Sequence, residues 1–278
     1  MTINVSLELD IETLKPAENG NIQMLLRGTS ASISITSTED NYVIDWGDGS
    51  TEQASGTGSK TYSHTYTDNS LFQVEVSNHT GITSCIGSTS CLIAYWSIGN
   101  SAVKDITFSG YSKLKYFGNV FKNDSDRTNA NSLLSYCSSL TSVDLTPLAG
   151  WTNVTDASYM FYNCSGLTSV DLTSLAGWTN VTNASYMFYN CSILTSVDLT
   201  PLAGWTKMIS NLSLISSCSK LTFISVLADI PFTLSSSSSL TNGNSCPIYV
   251  PDSAVDVYKS ATNWSAYSSR IKPISEKQ

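Results

Sequence analysis

One spacing constrains this chain more than any other property. Cys137, Cys164, Cys191 and Cys218 recur every 27 residues, and Trp151, Trp178 and Trp205 keep the same interval. Residues 137–163 and 164–190 differ only at Ser139/Gly166, Pro147/Ser174 and Asp156/Asn183. A unit this short cannot enclose a core of its own, so its copies must stack on one another. Tyr111 and Leu114 begin a weaker copy upstream, and Ile248 stands 27 residues after Leu221. The pattern predicts about five or six coils between roughly residues 100 and 250, the regular ones over about 111–226.

Within a coil, Leu140-Thr141-Ser142-Val143-Asp144-Leu145 has the spacing of a short strand with Leu140, Val143 and Leu145 facing inward. Asp156, Asn183 and Ser210 are good N-cap residues. Each precedes a short stretch, such as Tyr159-Met160-Phe161 or Tyr186-Met187-Phe188, that predicts one or two helical turns. Strand and helical turn in one unit predict a parallel sheet along one side, with neighbours about 4.8 Å apart.

The run W-T-N-V-T-x-A-S-Y-M-F-Y-N-C-S-x-L-T-S-V-D-L, at 151–172 and again at 178–199, resembles the BspA-like leucine-rich-repeat surface proteins of gut and oral bacteria and the related mycoplasma lipoprotein repeats. The resemblance implies a leucine-rich-repeat solenoid on a bacterial cell surface. The tail, from Ile248-Tyr249-Val250-Pro251 through Tyr258, Trp264 and Tyr267 to Ile271-Lys272-Pro273, looks like that family's C-terminal cap, over about 246–278.

Ahead of the repeats the period changes to two, in Ser32-Ile33-Ser34-Ile35, Tyr42-Val43-Ile44-Asp45-Trp46 and Phe72-Gln73-Val74-Glu75-Val76. Gly/Asp/Ser-rich turns separate these segments, as in a small β-sandwich. Ile44-Asp45-Trp46-Gly47-Asp48-Gly49-Ser50 with His64-Thr65-Tyr66 resembles a polycystic-kidney-disease (PKD) domain over about residues 28–78. The resemblance implies an Ig-like spacer or binding module in which His64 braces the Trp46–Asp48 turn. The expected class is therefore α+β: an Ig/PKD-like β-sandwich over 1–82, then a leucine-rich-repeat solenoid over 83–278 with a C-terminal cap.

Chemistry narrows the function. A net charge of −8 argues against nucleic acid, whose backbone demands a basic footprint. No apolar run is long enough to span a membrane, and the first ten residues lack a signal-peptide layout. Only two histidines occur, and no H-E-x-x-H, C-x-x-C or G-x-S-x-G motif is present. Gly56-Thr57-Gly58-Ser59-Lys60-Thr61 lacks the glycine before lysine of a phosphate loop, and lies between strands. The thiol row reads as buried small hydrophobes, with Cys85 and Cys91 as the candidate disulfide. No metal site or resident cofactor is expected. Asp144, Asp171 and Asp198 form an outward row relieved by local donors, with bound calcium as the alternative.

The chain is therefore expected to be a non-enzymatic adhesion or binding protein, secreted or on the cell surface. Its partner would be a glycan or protein on a host or bacterial surface. A phage or prophage tail-associated receptor-binding protein, carried on the virion, is the alternative. The candidate binding residues are the outward rows Thr141, Thr168, Thr195 and Asp144, Asp171, Asp198, and the Trp151, Trp178, Trp205 ladder. That ladder reads equally as core.

Overall fold

A computed structural model of the chain describes residues 22–38, 42–54, 57–68, 71–77, 82–87, 92–97, 116–118, 127–241 and 245–277. The expectations for Tyr111, Leu114, His79, Gly56 and Cys91, and for the Cys85 side chain, lie outside the described residues.

The first strands are β1 (Ile22–Arg27), β2 (Ser30–Ser37), β3 (Tyr42–Asp45), β4 (Thr51–Ala54), β5 (Gly58–Thr65), β6 (Leu71–Ser77), β7 (Ile82–Gly87), β8 (Leu92–Ser97) and β9 (Tyr116–Gly118). They form two sheets, β4-β3-β6-β1-β8-β9 and β5-β2-β7, antiparallel except for the β8–β9 pair. Period-two patterning decides which residues point inward. Ile33 and Ile35 of β2, Ile44 of β3, and Val74 and Val76 of β6 are fully buried. The Tyr42 and Tyr62 hydroxyls share a 2.8 Å hydrogen bond between the two sheets, and the Tyr66 hydroxyl donates to the Trp46 carbonyl at 3.0 Å.

From residue 127 the 27-residue units stack, each hydrogen-bonded to the units on either side. On one side the N–H groups of Thr168, Thr195 and Thr222 donate to the carbonyls of Thr141, Thr168 and Thr195 at 3.0, 3.1 and 2.8 Å. On another, Tyr159, Phe161 and Asn163 donate to Ser185, Met187 and Tyr189 of the next coil at 3.0, 3.0 and 2.7 Å. Single parallel bridges link Asn129, Asp156, Asn183 and Ser210 between these two sides. Only toward the C-terminal end do the ladders lengthen into strands. These are β10 (Phe188–Tyr189), β11 (Ser196–Asp198), β12 (Ile215–Ser216), β13 (Phe223–Ser225) and β14 (Ile248–Val250), followed by the α-helix α1 (Val255–Ser260) and then β15 (Ile271–Pro273). Strands β11-β13-β14-β15 make one parallel sheet, and β10 pairs with β12.

This corrects the expected α+β class and its strand-and-helix leucine-rich-repeat solenoid. The described chain consists of small β-sheets and turns. Its helical content is α1, six residues long, and 3-10 turns of three to five residues. The Tyr159-Met160-Phe161 stretch is not a helical turn. Tyr159, Asn163, Tyr186 and Asn190 all have φ between 57° and 59°, the left-handed region. A helix of five or so residues gains too few hydrogen bonds to offset its nucleation cost. Here the next coil's carbonyls take the same N–H groups instead. Asp156 likewise caps no helix; its carboxylate accepts the Ser158 N–H at 2.9 Å within the bridge.

Leu140, Leu167 and Leu194 are fully buried, as expected. Of the three valines read as inward, Val197 is buried while Val143 and Val170 are only partly covered. In the tail, Trp264 donates its indole N–H to the Phe232 carbonyl at 2.8 Å, and Tyr258 donates its hydroxyl to Ala228 at 2.9 Å. Both rings are buried against the last coil, and β15 pairs alongside β14.

Candidate functional site

The two outward rows expected to bind are in place but chemically engaged. Thr141, Thr168 and Thr195 are exposed. The hydroxyls of Thr168, Thr195 and Thr222 donate to the carbonyls of Thr141, Thr168 and Thr195 at 3.0, 3.1 and 2.8 Å. Asp144, Asp171 and Asp198 are also exposed. Each accepts the N–H two residues on, from Thr146, Thr173 and Thr200, at 2.9 Å, and so holds the following 3-10 turn. The Thr173 hydroxyl and N–H together keep the Asp171 carboxyl below its ordinary pKa. This relieves the stacked carboxylates with local donors. Among the described residues no group of three or more His, Cys, Asp or Glu side chains is arranged to hold a metal ion.

The tryptophans leave the candidate site altogether. Trp151, Trp178 and Trp205 are fully buried and stacked face to face at 6.2 Å, with planes 6° and 14° apart. The Trp178 and Trp205 indoles donate to the Leu148 and Leu175 carbonyls at 3.0 Å. The Arg127 guanidinium lies 4.6 Å over the Trp151 ring at the start of the column. A buried indole needs a partner for its N–H, and the preceding coil supplies it. The column is core.

The residues after each tryptophan build a groove that the sequence reading passed over. Thr128, Thr155 and Thr182 line it together with Asn153, Asn180 and Lys207, one of each row per coil. The space between them is about 470 Å³ and open to solvent. The Asn180 amide donates to the Thr152 carbonyl at 3.0 Å, and the Lys207 ammonium donates to Asn180 Oδ1 at 2.6 Å. Lys207 breaks a stretch from 128 to 206 that contains no basic residue. The Thr155 and Thr182 hydroxyls donate to the Thr128 and Thr155 carbonyls at 3.1 and 3.0 Å, so the groove presents hydroxyl oxygens as acceptors, amides and a single positive charge.

A second surface was also missed. Tyr136, Tyr159, Tyr162, Tyr186 and Tyr189 form one continuous patch. Tyr159 stacks on Tyr186, and Tyr162 on Tyr189, each pair at 5.1 Å with planes 15° and 8° apart. Tyr159 and Tyr186 meet Tyr162 and Tyr189 at 5.4 and 5.9 Å, and Tyr136 tilts by 56° against Tyr162 at 5.3 Å. Tyr136 is 49% exposed and Tyr159 37%. Partial burial among its tyrosine neighbours raises the Tyr162 phenol pKa. Tyr136, Tyr159 and Tyr186 have φ of 60°, 58° and 59°, a conformation that costs a non-glycine residue roughly 1–2 kcal/mol. The available signal was the repeated Y-x-x-Y with buried Met160 and Phe161 between. Read as a helical turn, it put the tyrosines on the wrong footing.

Elsewhere, His64 and Asp48 are within 2.8 Å and the His64 ring stacks on Trp46 at 5.0 Å. That pair clamps the turn between β3 and β4. Cys137, Cys164, Cys191 and Cys218 are fully buried free thiols. Three of them donate to carbonyls of the preceding coil, Leu134, Phe161 and Phe188, at 3.0, 3.2 and 3.0 Å. Burial pushes the Cys164 thiol up to about 12, so it is protonated and unreactive at neutral pH. No helix among the described residues is long and apolar enough to cross a membrane. In comparison with known proteins, no family model and no curated protein matches the chain.

Proposed function

We propose that this chain is a non-enzymatic adhesion protein, secreted or displayed on a cell surface, whose repeat region binds a glycan or protein on a host or bacterial surface. The groove across Asn153, Asn180 and Lys207 carries this reading. It spans three coils, opens to solvent and repeats a threonine in each, with Asn153, Asn180 and Lys207 in register beside them. Repetition lets many weak hydrogen bonds act on one extended ligand, so affinity need not come from a deep pocket. The resemblance of the repeat to BspA-like surface proteins supports the location, and the groove's amides with its single ammonium support a neutral or weakly acidic ligand.

Screening the chain against glycan and host-protein arrays is the test. For a ligand so found, Lys207→Ala with Asn180→Ala should weaken binding by roughly tenfold or more. Asp144→Ala, Asp171→Ala and Asp198→Ala together should leave it intact, since those carboxylates serve their own turns. Binding that ignores the groove changes and is lost with the three aspartates would reverse the assignment.

A further inference from the structure

We propose that the tyrosine patch is a separate carbohydrate site, which takes an uncharged, extended β-linked glycan laid along the stacking direction, about one sugar per coil. The proposal rests on the reading of this chain as a binding protein, but it uses residues distinct from those that line the groove. First, the fold does not need aromatic rings at these positions. Ser132 and Ser213 occupy the places of Tyr159 and Tyr186 one coil away on either side, with the same left-handed backbone. Ser135 and Ser216 stand in the same relation to Tyr162 and Tyr189. Bulky rings held at φ near 58° where serine suffices are a feature retained for contact.

Second, the ring spacing selects the occupant. Equivalent tyrosines repeat at 5.1 Å along the array. A polyproline helix repeats its faces at about 9 Å and an extended peptide at about 6.8 Å, so neither stays in step. One pyranose of an extended β-linked chain spans close to one coil. Third, the chemistry fits sugar. Phenol edges and hydroxyls of the stacked pairs meet sugar hydroxyls, while the tilted, half-exposed Tyr136 offers a ring face to a sugar's C–H surface. Asn163 and Asn190, joined amide to amide beside the rings, add neutral donors and acceptors in the same register.

The probes are cellohexaose, xylohexaose and chitohexaose with their shorter homologues, titrated onto the full chain by calorimetry. At least one hexaose is expected to bind, with affinity rising from disaccharide to tetrasaccharide. Tyr159→Ser with Tyr186→Ser should weaken it by roughly tenfold or more, and Lys207→Ala should not change it. Saturation-transfer NMR on the unmodified chain should show sugar protons against tyrosine rings, which keeps the test valid should the double variant unfold. Failure of all three hexaoses, or binding without tyrosine contact, overturns the proposal. If a different array ligand is then lost with Lys207→Ala, the adhesion reading stands while this site falls. Preference for a proline-rich peptide over every hexaose also overturns it.

Discussion

At the scale of single residues, the turn between β3 and β4 shows how few atoms fix a conformation. Gly47 has φ of +80°, and a Cβ there would sit 2.4 Å from the Gln73 carbonyl oxygen. Gly47→Ala therefore combines backbone strain with a backbone clash. It should lower stability by about 1–3 kcal/mol in urea titration. Beside it, the Ser50 hydroxyl first, then His64 and the Ser50 N–H, hold the Asp48 carboxyl down from 3.8 to about 2. A carboxyl depressed by folding adds stability above its unfolded value, and that stability is lost as pH falls. The unmodified chain should thus lead Asp48→Asn at pH 6, with the gap closing between about pH 4 and pH 2. In the repeat, Trp178→Phe keeps most of the ring but removes one of the two hydrogen bonds that the Leu148 carbonyl accepts, the Trp151 N–H remaining, a loss of about 0.5–1.5 kcal/mol by urea titration. Leu167→Ala removes a fully buried side chain and should cost about 2–5 kcal/mol.

At the scale of elements, the coil seams explain what the sequence made legible and what it hid. The unit length and the inward leucines follow from side-chain type alone, because Cys, Trp and Leu recur at one interval. The alternation that buries Ile33, Ile35, Val74 and Val76 is equally local. Which side each row faces is not local. A tryptophan after Ala-Gly reads the same whether it lies on the surface or under the loop. Only the preceding coil's Leu148 or Leu175 carbonyl decides the matter. Tyr159-Met160-Phe161 misled for the same reason. Its N–H partners lie 26 residues onward, beyond any local helical rule. The groove needed three stacked coils before Asn153, Asn180 and Lys207 came together. The thiol row gives the seams a direct readout. Ladder cysteines should resist a thiol reagent in native buffer and react in step with loss of ellipticity as urea rises, since none is exposed. Labelling well ahead of that transition would mean the coils open separately.

For the whole molecule, the seams between residues 137 and 217 are nearly interchangeable. Leu212, Leu214 and Ser216 accept from Tyr186, Phe188 and Asn190 as Ser185, Met187 and Tyr189 accept from Tyr159, Phe161 and Asn163. Deleting residues 164–190 joins Asn163 to Cys191, a junction already present in kind at Asn163–Cys164. Such a shortened chain should fold, with stability lower by roughly 1–4 kcal/mol for the 27 residues removed, measured by urea titration. Its tyrosine patch would lose one coil of reach. Near-identity of successive units thus makes the gene itself a tuning device. Unequal recombination adds or removes one whole coil without creating a new junction to optimise, so the reach of the repeat region is adjusted in whole steps, like the links of a chain.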